Sequence, residues 1–137
     1  MTLHDANAKQ SAGVIHFKSP HTFDDTVRQL QAALKDHGIK VFAAIDQQAE
    51  AQAVGLSMPP TVLILFGNPK GGTPLMVANP ESGIDLPLKV LISESKPGQV
   101  DVFINTAEYI IRRHALPQEL MANIAPVERL IATVLSA

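Results

Sequence analysis

The segment Gly67-Asn68-Pro69-Lys70-Gly71-Gly72-Thr73 is the one stretch of this chain whose residue types and spacing could do chemistry by themselves. Successive glycines free backbone N–H groups, and a helix start behind them presents more. Lys70 could neutralise a phosphate or carboxylate, so Asn68, Lys70, Gly71, Gly72 and Thr73 are the candidate binding residues for a small anion. The segment is not a nucleotide P-loop, which would require Lys and then Ser or Thr where this chain has Thr73 and Pro74. The same Asn, Pro and Gly residues also suit the backbone angles of a tight strand-to-helix turn. Both readings stay open.

Other chemistries have less to stand on. A small-molecule enzyme is the alternative if folding brings Asp85, Lys70 and His114 together. Near a strand entrance Asp85 is otherwise a turn or cap residue, on one face with Lys89. The histidines His4, His16, His21, His37 and His114 show no i, i+2 or i, i+4 pairing, so neither a metal site nor a cofactor is expected. The chain has no Cys, which excludes disulfides, thiol chemistry and thiolate metal sites. Ser57, Ser82, Ser93 and Ser95 lie in no Gly-x-Ser-x-Gly pattern, so serine hydrolase chemistry is unsupported. Met58, Met76 and Met121 read as gap-filling core residues. Glu108 and Arg112 are spaced for a helical surface pair.

Composition narrows the partners. Eleven basic residues against 13 acidic ones give a formal net charge of −2, which does not suit phosphate-tracking nucleic-acid binding. The cluster Arg112-Arg113-His114 fits a helix C-terminus completing its dipole. No apolar run approaches the length of a membrane span, and Met1 to Ala12 lacks the apolar stretch of a secretory signal. The expected organisation is a flexible segment over 1–12 and a single α/β domain over 13–137, in the cytoplasm, with neither nucleic acid nor membrane as partner. Hydrophobic residues at 46% supply one core, and aromatics at only 4% mean that it is mainly aliphatic.

The elements that must position these residues follow from periodicity. Gly13 to Lys18 reads as a strand. Phe23, Val27, Leu30 and Leu34 recur at helical spacing behind a cap at Ser19 or Thr22, and Gly38 supplies the stop. Ile39 to Ile45 is a second strand, and Asp46 caps a short helix ending near Gly55. Thr61 to Phe66 is apolar without alternation, as in a central strand covered on both faces. Thr73-Pro74 predicts a cap and first turn for a helix that ends near Asn79-Pro80. Leu86 to Glu94 and Gln99 to Asn105 form a hairpin around Lys96-Pro97-Gly98, with Val100, Val102 and Ile104 on one face. Thr106 caps the next helix. Pro117 opens a last helical region carrying Leu120, Ile124, Leu130, Ile131 and Val134, which Pro126 should split. The order β-α-β-α-β-α-β-β-α-α makes one mixed sheet with helices packed on it.

From about Gly13 onward the chain resembles the domain-of-unknown-function 302 family. The residues that carry the likeness are Phe66-Gly67-Asn68-Pro69-Lys70, Gly72-Thr73-Pro74-Leu75-Met76, Asn79-Pro80 and Asp85-Leu86-Pro87-Leu88-Lys89-Val90-Leu91, with Ile45-Asp46, Tyr109 and Arg113-His114 in support. The resemblance implies an α+β fold: a single mixed, largely antiparallel sheet with helices on one side, as in one half of the TATA-binding protein, assembled as a homodimer. It implies no activity. Members often carry His after the Ile-Asp pair, whereas this chain has Gln47, so no metal or acid–base role attaches to that position. A fold shared with a DNA-binding protein is not evidence of DNA binding. The leading expectation is a non-enzymatic homodimeric module that binds a small anionic or polar ligand at Gly67 to Thr73. A partner-binding domain using the C-terminal helix is a further one.

Overall fold

The computed structural model describes residues 12–136, so the segment expected to be flexible lies outside them except for Ala12. Five strands, β1 (Val14–Lys18), β2 (Lys40–Asp46), β3 (Thr61–Gly67), β4 (Leu88–Lys96) and β5 (Gln99–Asn105), form one sheet in the order β1-β5-β4-β3-β2. All four pairings are antiparallel. The helices are α1 (Phe23–Asp36), α2 (Gln47–Ala53), α3 (Pro69–Ala78), α4 (Ala107–Arg113) and α5 (Pro126–Val134), with 3-10 turns at Pro80–Asp85 and Gln118–Asn123. This is the α+β arrangement and element order that the sequence predicts.

Local capping chemistry explains most boundaries. The side chains of Thr22, Asp46 and Thr106 each accept a backbone N–H three residues on, from Asp25, Ala49 and Tyr109. Gly38, at φ 71°, takes the left-handed position after α1 that an L side chain resists. Pro126 begins α5 and separates it from the preceding 3-10 turn, since it offers no N–H to continue a helix through that point.

Strand register sets the two faces of the sheet. Val62, Ile64 and Phe66 of β3 stand opposite Ile92, Val90 and Leu88 of β4, and these meet Val102 and Ile104 of β5. Leu30 and Leu34 of α1, with Ile131 and Leu135 at the C-terminal end, close over that face and form the main core. Burying a side chain such as Leu30 stabilises the fold by about 1.5–3 kcal/mol. A second core joins Leu75 of α3 to Ala107, Ile110 and Ile111 of α4 and to Leu116 and Ile124.

Two expectations are corrected. Burial in β3 alternates, with Leu63 and Leu65 only half-buried, because helices cover one face of the sheet and leave the other open. The central strand is β4. In the C-terminal row Ile124 and Ile131 are buried, and Leu120, Leu130 and Val134, half-buried, lie against the two cores.

Candidate functional site

Glu81, Asp85 and Arg113 converge around His114, at the C-cap of α4. Its imidazole is buried, with Nδ1 2.9 Å from Glu81 Oε1 and Nε2 2.5 Å from Asp85 Oδ2. Arg113 Nη1 reaches both oxygens of Asp85, at 3.1 and 3.2 Å. Asn79 Nδ2 donates to the His114 carbonyl at 2.9 Å. The 3-10 turn Pro80–Asp85 is thereby tied to α4 by side chains 28 to 33 residues apart. The hydrogen bond to Asp85, then the one to Glu81, favour the imidazolium and push the His114 pKa above its ordinary value, against the effect of burial.

As an imidazolium His114 donates both N–H groups to carboxylates and keeps no lone pair for a metal or a substrate proton. Two cations, His114 and Arg113, face two carboxylates, Glu81 and Asp85, so formal charge cancels within the cluster. The arrangement can lock two elements together. No group of three or more His, Cys, Asp or Glu side chains suited to a metal occurs among the described residues. One buried hydroxyl nearby in sequence, Ser82 Oγ, has no hydrogen-bond partner.

A cleft of about 590 Å³ opens at the β2 end of the sheet. Phe42 and Phe66 form its sheet side, Val127 and Leu130 of α5 face them, and Leu86 and Pro87 contribute further apolar surface. The start of α3 contributes Asn68, Pro69, Gly72, Thr73 and Met76. Phe42 and Met76, 44% and 39% exposed, remain open to solvent, so Met76 is not the core filler its sequence context suggested. Size and apolar character are those of small-molecule sites, where a few polar groups fix orientation.

The segment Gly67 to Thr73 therefore borders a cavity, though not as a loop. Asn68 caps α3 and Pro69 is its first residue, which corrects the start predicted at Thr73-Pro74 by about one turn. The Asn68 side chain accepts the Lys70 N–H at 3.0 Å, and the Asn68 carbonyl accepts from Gly71 and Gly72 at 2.8 and 2.9 Å. Neither glycine has a positive φ, so a left-handed turn does not account for them. At Gly71 an added Cβ would lie 2.8 Å from the Asn123 carbonyl oxygen, so close packing requires the glycine. At Gly72 the nearest atom would be Leu86 Cδ1 at 3.9 Å, an ordinary van der Waals contact that leaves room for a methyl. Of the candidate residues Asn68, Gly72 and Thr73 line the cleft, while Lys70 and Gly71 do not. Asp85 and His114 meet, whereas Lys70 forms no ion pair with either.

Sequence reasoning missed Glu81, whose bond to His114 spans 33 residues, and the far wall of the cleft at Val127 and Leu130. It also missed a pair on the open sheet face, where His16 Nε2 lies 2.7 Å from Asp101 Oδ1 and its ring stacks on Phe103 at 4.8 Å. No local pattern marks any of these.

Fold and site together define a small α+β domain with one open antiparallel sheet, a single helical layer and an apolar cleft at the end of the sheet. Residues 15–137 match the family described as Domain of unknown function DUF302, and the chain belongs to that family. It is also similar to Fluoride-specific ion channel FluC 1 of Brucella suis biovar 1 (strain 1330), 37% identical over 105 residues, which are 77% of this chain and 41% of that protein. Fluoride-specific ion channel FluC 2 of Brucella melitensis biotype 1 (strain ATCC 23456 / CCUG 17765 / NCTC 10094 / 16M) matches at 37% over 105 residues, 77% of this chain and 39% of its own. The chain thus spans about two fifths of the length of these relatives. A crystal structure of an uncharacterized conserved DUF302 protein from Bacillus stearothermophilus superposes with a TM-score of 0.76 at 19% identity, covering 92% of this chain and 98% of the other. That likeness is one of fold.

Proposed function

We propose that this domain binds a small molecule in the cleft between β2, α3 and α5, with the apolar part of the ligand between Phe42 and Leu130 and its polar end toward Asn68 and Thr73. The observation that carries the reading is the 590 Å³ cleft itself, apolar in its walls and bordered by Asn68, Gly72 and Thr73. The His114 cluster serves as a brace in this reading, because its donors and acceptors already bond one another. N-phenyl-1-naphthylamine, a neutral fluorophore that brightens in apolar surroundings, should show saturable enhancement with the domain. Gly72→Leu, which directs a side chain into the cleft, should abolish it while the fold persists. Absence of saturable enhancement in the unaltered protein contradicts the reading.

A second reading, an anion held at the first turn of α3, is favoured by Lys70, whose ammonium makes no ion pair among the described residues. Inorganic phosphate should then move the amide resonances of Gly71, Gly72 and Thr73 saturably, and Lys70→Ala should weaken that response. The homodimer belongs to the same proposal, on the open sheet face that carries Leu63, Leu65, Leu91 and Phe103. Sedimentation at micromolar concentration should give twice the chain mass, and a clean monomer removes it. Fluoride conduction is not assigned to this chain. No described helix is long and apolar enough to cross a membrane, and the sheet is open, with β1 and β2 as edges.

A further inference from the structure

The cleft is lined by one titratable side chain, His37, and by no Lys, Arg, Asp or Glu. His37 Nδ1 lies 3.0 Å from the Ala33 carbonyl, so that nitrogen is engaged within α1 and its cap. The amide donors at the start of α3 are engaged too, those of Lys70, Gly71 and Gly72 all bonding to Asn68. Beside the second ring nitrogen of His37, the polar side chains that line the cavity are Asn68, Thr73 and Asn123, none of which ionises. The Asn68 carboxamide has its oxygen bonded to Lys70 N–H, which turns its NH2 outward as donor, and the Thr73 hydroxyl has no bond among the described residues.

These observations set the charge of the ligand. An anion enclosed among these walls would lose its hydration without meeting a Lys or Arg that lines them, whereas an apolar molecule with one neutral acceptor would lose little and gain the walls. We propose that the cleft selects an uncharged, predominantly apolar ligand carrying a single hydroxyl, carbonyl or ether oxygen, which accepts from Asn68 Nδ2 and exchanges a hydrogen bond with Thr73 Oγ1. This rests on the cleft being the binding site, as proposed above. A cavity of this size suits an aliphatic chain of about ten carbons or two to three rings.

The test is competition against bound N-phenyl-1-naphthylamine at about pH 8, where a fatty carboxylate is fully ionised. Decanol and decanoate, both below their aggregation limits, are compared for displacement from the unaltered domain and from Thr73→Val. Decanol should displace the probe at a concentration at least about tenfold lower than decanoate, a difference set by the uncompensated charge. Thr73→Val should weaken decanol severalfold relative to the probe, both affinities being read on the same variant, and an unchanged ratio overturns the role given to that hydroxyl. A ratio below about tenfold, or a preference for decanoate, overturns the neutral-ligand inference while the cleft stands as a binding site. Failure of the fluorophore itself to bind overturns both.

Discussion

The His114 cluster and the cleft use polar side chains in opposite ways. Around His114 the ring nitrogens meet Glu81 and Asp85, and Arg113 reaches both oxygens of Asp85. At the cleft, Asn68 and Thr73 face a cavity with hydrogen-bonding capacity unmet, against walls that are otherwise apolar. Proximity of His, Asp, Glu and Arg is the usual sign of a reactive centre. Here the richer cluster is internally complete, and the poorer region has room for a ligand. On the proposed reading, room beside apolar walls marks the site better than the density of titratable groups.

The largest expected effect falls on the brace. Removing the buried imidazole in His114→Ala leaves a void and takes the ring partner from Asp85 and Glu81, and should lower unfolding stability by about 2–4 kcal/mol in urea titration. Fluorophore affinity measured well below the unfolding midpoint should change by no more than about twofold, because no cleft residue bonds His114. A stability change below about 1 kcal/mol would remove the brace.

The two glycines of α3 sharpen the contrast at smaller scale. Gly71→Ala forces its new methyl against the Asn123 carbonyl and should cost about 1–3 kcal/mol. Gly72→Ala places its methyl at an ordinary contact distance from Leu86 within a helix and should be neutral or stabilise by up to about 1 kcal/mol. Equal costs at the two positions in thermal or urea unfolding would contradict the packing assigned to them.

The pH dependence has a definite sign. The folded-state pKa of His114 is raised, so the contribution of its protonation to stability is fully present below the unfolded value near 6.5 and is lost as pH rises through the folded value. Stability of the unaltered protein should therefore fall as pH climbs above about 6.5, and His114→Gln should lack that component of the slope. A slope identical in the two proteins would refute it. The smallest effect belongs to the exposed Glu108–Arg112 pair, at 2.6 Å, whose loss in Glu108→Ala should cost about 0.3–0.5 kcal/mol and no binding.

What the sequence disclosed was local chemistry. Thr22, Asp46 and Thr106 cap as expected because an N-cap is decided within three residues. Asn68-Pro69 was passed over for Thr73-Pro74 because the two pairs carry the same signature, and the intervening glycines resemble a turn. The cause of Gly71 lies 52 residues away, at Asn123. The apolar run of β3 suggested two covered faces, since composition cannot separate a helix-covered face from an open one that keeps Leu63 and Leu65. Of the candidate segment, Asn68, Gly72 and Thr73 border the cleft, and Lys70 and Gly71 do not. Its opposite wall comes from Val127 and Leu130, and only folding brings the two together.

The central claim is that ligand enters the cleft and leaves the His114 cluster undisturbed, and amide chemical-shift mapping during titration with N-phenyl-1-naphthylamine tests it most directly. The account predicts saturable shifts at Phe66 to Met76, Leu86 to Leu88 and Asn123 to Leu130, with Glu81, Asp85, Arg113 and His114 unmoved at saturation. Shifts centred on Glu81, Asp85 and His114, with the amides of Gly72, Thr73 and Leu130 silent, would contradict it.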